Sequence, residues 1–142
     1  MILGKGIFAV KLYELEKQYS LLQSRLQLCQ QYDRNKLNLA IELLKDECSA
    51  SDIMLEKHVR ESQSPYAAKL ARAQLIYRQQ IESIVRCVLS EDHSSESRAE
   101  ALTLHAEFAI DFAAQAMNEA LLAAMYAVDA QLINEENKEA ER

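Results

Sequence analysis

At 142 residues the chain has the length of one domain, and its two glycines and single proline are too few for a protein built on tight turns and hairpins. Leu, Ala, Glu, Gln, Lys and Arg dominate, which favours helix throughout. The net charge of −6 is unevenly spread: residues 1–50 carry 7 basic and 6 acidic groups, residues 51–90 carry 6 and 4, and residues 91–142 carry 3 and 12, which argues against a nucleic-acid surface on the last segment.

The opening decapeptide is apolar but short and interrupted by Lys5, and it lacks the pattern of a secretion signal. No uncharged apolar run is long enough to span a membrane; the nearest candidate, residues 101–133, contains Glu107, Asp111, Glu119 and Asp129. Cys29, Cys48 and Cys87 are odd in number and widely spaced, which speaks for reduced thiols in a cytoplasmic protein rather than a disulfide framework.

The first stripe runs Leu12, Leu15, Tyr19, Leu22, Leu26, Cys29 and resumes at Leu37, Ile41, Leu44 and Cys48. An eleven-residue step from Leu26 to Leu37 is compatible with one continuous helix, so a single helix is expected over residues 7–48. A break at Tyr32-Asp33-Arg34-Asn35 is the alternative, although neither glycine nor proline enforces it. Ser49-Ala50-Ser51-Asp52 has the form of a turn with a capping box, which predicts a short helix over 52–62. Ser62-Gln63-Ser64-Pro65 is the sharpest boundary, with serine as N-cap and proline at the first helical position.

A third helix is expected over 65–90, with Ala67, Leu70, Gln74, Tyr77, Ile81, Ile84 and Val88 as its seam. The pairs Arg78–Glu82 and Glu82–Arg86 would support its exposed side. A polar link at 90–95 leads to a fourth helix over about 96–134, followed by a charged tail at 135–142 that is expected to fray.

The fourth helix holds the most unusual pattern. From Ala99, alternating steps of three and four pass through Leu102, Ala106, Ala109, Ala113, Ala116, Ala120, Ala123, Ala127 and Ala130. A 3-4 alternation is the seam of a helix lying lengthwise on another, and alanine there lets the partner backbone come to roughly 8 Å. Ala106, Ala109, Ala113, Ala116, Ala120, Ala123 and Ala127 are therefore the candidate helix–helix interface, with Ile110, Met117, Leu121 and Val128 as a bulky shoulder on one side and Phe112 and Tyr126 on the other.

Catalytic patterns are sparse. Helical bundles hold paired metals with Glu-x-x-His on facing helices, and this chain has no such tetrad. His105 stands five residues after Glu100 and two before Glu107, the wrong spacings for one coordinating face. There is no phosphate-cradling glycine loop. The sequence thus predicts an all-α fold, an elongated antiparallel bundle of three or four coiled-coil-like helices forming one domain. It predicts no catalytic residues, metal or cofactor. The expected function is non-catalytic and adaptor-, chaperone- or regulator-like: a protein acting through helix–helix contacts with a homo-oligomeric partner, a dimer foremost, or with another protein. The alternative is a helical-bundle enzyme or small-ligand or metal-binding protein whose site assembles around His105 with Glu119 and Tyr126.

Overall fold

The computed structural model describes residues 5–142; residues 1–4, with the first part of the apolar N-terminal segment, lie outside the described residues. The fold is all-α. Four helices follow in order, α1 (Lys5–Cys29), α2 (Arg34–Glu61), α3 (Pro65–Ser90) and α4 (Ser95–Ala140), with no strand among the described residues. The helices divide into two units, one of Met1–Ser24 with Leu104–Arg142 and one of Arg25–Thr103, so the division falls inside α1 and inside α4.

The single helix expected over 7–48 is broken at residues 30–33. The last turn of α1 tightens, with Gln31 N donating to Leu28 O and Tyr32 N to Cys29 O, each a three-residue step. Asp33 then caps α2: its backbone is extended (φ −73°, ψ 172°) and its carboxylate accepts from Lys36 N at 2.8 Å. An extended residue with a good N-cap side chain starts a new helix without glycine or proline, which is why the alternative break is the one observed.

The turn expected at residues 49–52 does not form. α2 runs unbroken through these positions to Glu61, so there is no separate helix over 52–62. The carboxylate of Asp52 is engaged by Arg78 of α3 at 3.1 Å instead of capping a backbone N–H. The Ser64–Pro65 boundary stands where the sequence places it. Ser64 Oγ accepts from Ala67 N at 3.4 Å and Pro65 opens α3. Ser94 begins α4 in the same way, accepting from Ser97 N at 3.1 Å. α4 continues through the start of the charged tail to Ala140, with Gln131 Nε2 donating to Glu135 Oε1 at 3.3 Å.

Within the second unit α2 and α3 form an antiparallel helical hairpin across the three-residue link at 62–64. Its seam is read from burial. On α2 and at its C-cap, Cys48, Asp52, Leu55, Val59 and Ser62 are half-buried, in steps of four and three. On α3 the corresponding set is Ala68, Ala71, Leu75, Arg78, Ile81, Val85 and Val88, with Ala71 buried at 6% exposure and the others half-buried. The expected α3 seam is therefore turned by one position. It shares Ile81 and Val88, but Leu70 is 69% exposed, and Ala67, Gln74, Tyr77 and Ile84 are exposed too. Ala68 and Ala71 put small side chains on this seam, and the Arg78–Asp52 pair ties α3 to α2 across it.

Candidate functional site

The structure gathers two groups of charged side chains and leaves one long face open. The first group lies in the α2–α3 seam. Arg78 Nε donates to Asp52 Oδ1 at 3.1 Å and Nη2 to Oδ2 at 3.4 Å, a two-pronged contact with 34% and 24% side-chain exposure. This hydrogen bond to Asp52, outweighing partial burial, raises the Arg78 guanidinium above its ordinary value. The expected Arg78–Glu82 support is replaced: Glu82 pairs with Arg86 at 2.8 Å and Arg78 reaches across to α2.

The second group stands at the α1–α2 elbow. Arg25 Nη1 and Nη2 donate to Glu47 Oε2 and Oε1 at 3.0 and 3.1 Å. The hydrogen bond from Arg25 holds the Glu47 carboxyl below the usual carboxylate range, outweighing desolvation, with the charge of Arg25 acting in the same direction as the bond. Beside it the Lys36 ammonium sits 4.7 Å from the centre of the Tyr32 ring. The arms enclose an open concavity of about 270 Å³, lined in part by Leu28, Cys29, Leu37, Ile41 and Leu44.

The alanine ladder lies in the other unit. Ala106, Ala109, Ala113, Ala116, Ala120, Ala123 and Ala127 are all on α4 and all exposed. Over this stretch, about 32 Å long, α1 does not cover them. Phe8 of α1 instead lines a shallow concavity with Leu121, Ala124, Met125, Val128 and Leu132, on the side of the bulky shoulder. Leu102 is half-buried together with Arg98, Ala101 and His105 near the start of α4. The apolar stripe of α1 is exposed as well, with Leu12 at 62%.

The residues of the alternative site are not brought together by their own helix. His105 is half-buried; Glu119 and Tyr126 follow it on α4 by 14 and 21 residues, or about 21 and 32 Å of helix. Among the described residues no three His, Cys, Asp or Glu side chains are grouped to hold a metal. Cys29 and Cys48 are half-buried, as their place on the stripe suggests, and Cys87 is exposed. No helix among the described residues is long and apolar enough to cross a membrane.

Sequence reasoning missed both inter-helix ion pairs. A signal for one was present: Asp52 interrupts the stripe of Cys48, Leu55 and Val59, and Arg78 interrupts that of Leu75, Ile81 and Val85, at similar distances from the Ser64–Pro65 turn. Charges of opposite sign at matched positions of an antiparallel hairpin are expected to meet. Compared with protein families, with curated proteins and with solved structures, the chain finds no match.

Proposed function

We propose that the chain is a non-catalytic helical interaction protein of the cytoplasm, acting by laying its exposed seams against other helices, with a second copy of itself as the first partner. One observation carries the reading. The ladder at 106–127 has the spacing of a close helix contact, yet every one of its alanines is exposed. A face meant for solvent has no reason to exclude Lys, Glu and Gln from seven successive 3-4 positions. The carboxylates Glu107, Asp111, Glu119 and Asp129 all fall between the rungs. An identical helix can therefore lie along the ladder with no carboxylate on the seam, despite the acidic balance of α4.

Exposed apolar surface supports the same reading. Ile110, Met117, Leu121 and Val128 remain 42–57% exposed beside the ladder, and extended apolar faces of this kind mark interaction sites.

Sedimentation equilibrium of the full chain with Ala113→Leu, Ala116→Leu and the control Asn118→Leu tests the proposal. Dimer or higher assembly is expected for the unaltered chain and for Asn118→Leu, and weakened assembly for the two ladder variants. A monomer at all concentrations up to the near-millimolar range, or equal behaviour of the three variants, would overturn it.

A further inference from the structure

We propose that the elbow between α1 and α2 is a latched hinge, and that its other stable state is a single continuous helix through residues 30–33. The proposal stands on the elbow's own geometry and does not depend on the identity of any partner.

The sequence around the elbow is compatible with helix. Residues 26–40 contain neither glycine nor proline. The step from Leu26 to Leu37 is eleven residues, three helical turns with a remainder of about 20°. In a straight helix, the stripe of Leu12, Leu15, Tyr19, Leu22 and Leu26 would thus continue directly into Leu37, Ile41, Leu44 and Cys48. Bending splits this stripe in two.

What holds the bend is peripheral and mostly charged. Asp33 caps α2 through Lys36 N. Lys36 lies over Tyr32. Arg25 and Glu47 form a fork between the arms, with both side chains more than half exposed. The interior gives the bend little support. Leu28, Ile41 and Leu44 line the concavity but remain 43–51% exposed, and among its lining residues only Cys29, Tyr32, Leu37 and Ala40 are half-buried. Opening therefore gives up surface-strength contacts and little packing, and it returns the helical hydrogen bonds lost at residues 30–33.

The two states differ by a large distance. In a continuous helix the α-carbons of Arg25 and Glu47 would stand about 33 Å apart, from 22 residues at 1.5 Å each. Here the two side chains are bonded at 3.0 Å. A helix laid along the rejoined stripe would select the straight form, because only that form presents the stripe whole.

Spin labels at Gln27→Cys and Asp46→Cys, with the native cysteines replaced by alanine, read the hinge directly. The latched chain gives a separation well below the roughly 28 Å of a continuous helix. Replacing two latch groups together, Asp33→Ala and Glu47→Gln, is expected to raise a population near 28 Å and to leave helical circular dichroism undiminished. Adding Arg34→Pro should abolish that population. Proline is accepted at the first position after the Asp33 cap, whose extended backbone suits the residue before proline, but it is excluded from the interior of a continuous helix. A short distance retained after loss of the latch overturns the hinge, as does a long population that survives Arg34→Pro. Loss of helical signal in the latch variant overturns it too, since the latch would then be required for folding.

Discussion

Ala71 shows how tightly one residue can constrain a helix pair. It is the one buried residue among the described residues, and it stands in the α3 seam one turn from Leu75 and Ala68. A leucine there has nowhere to go without parting α2 from α3, so Ala71→Leu should cost about 1–3 kcal/mol. Ala67→Leu should be near neutral, because Ala67 is exposed. Urea denaturation of the two variants measures the difference, and a greater cost at Ala67 than at Ala71 would mean that the hairpin is rotated the other way. Asp52 and Arg78 give a second test of the same seam. Removing either charge leaves the other partly buried without its partner, at a cost of about 1–2 kcal/mol, kept low by the remaining exposure of Arg78. In a double-mutant cycle with Asp52→Ala and Arg78→Ala, the second loss should cost less than it does alone. Additive losses would show that the two-pronged contact carries no energy.

At the scale of the element, helix ends were legible wherever a side chain announces them through its own backbone chemistry. Ser64 with Pro65 is such a case, and Ser64→Ala should cost about 1 kcal/mol. Asp33 is a weaker announcement, and the apolar stripe reads through it because periodicity on either side is nearly in phase. Ser49-Ala50-Ser51-Asp52 failed for the opposite reason. Its residues can cap, but a partner across the hairpin, Arg78, took the carboxylate, and no local pattern contains that partner. The rotation of α3 was hidden likewise, since Leu70, Tyr77 and Ile84 offer an apolar stripe as regular as the one that packs. Of the candidate site, the ladder's residues and their common face were legible, whereas what lies on that face depends on other helices. The elbow adds a pH test. Glu47 titrates below its ordinary value in the folded chain because it accepts from Arg25. The stabilisation from this pair is thus complete above the unfolded glutamate value of about 4.3. It is lost as the pH falls through the lower, folded value. A carbon-13 titration of the Glu47 carboxyl should show a midpoint below that of exposed glutamates, moving up to theirs in Arg25→Gln. An ordinary midpoint in the unaltered chain would mean that the fork does not persist in solution.

For the whole molecule the decisive quantity is apolar surface. Burial of apolar area is the main force that offsets chain entropy in folding, and here it is concentrated in the α2–α3 hairpin, while α1 and the ladder of α4 remain exposed. Stability that comes from a second copy carries a signature that stability from within the chain lacks: it rises with protein concentration, because association favours the folded state by mass action. The melting temperature of the unaltered chain should therefore climb as concentration is raised from micromolar to near-millimolar, and the climb should flatten in Ala113→Leu and Ala116→Leu but persist in Asn118→Leu. The hairpin variant Ala71→Leu separates the two sources, since it should lower the melting temperature at every concentration and leave the slope in place. Were the melting temperature independent of concentration while the ladder variants were still destabilised, the ladder would be covered by a helix of its own chain, and self-association would be excluded as the source of its alanines.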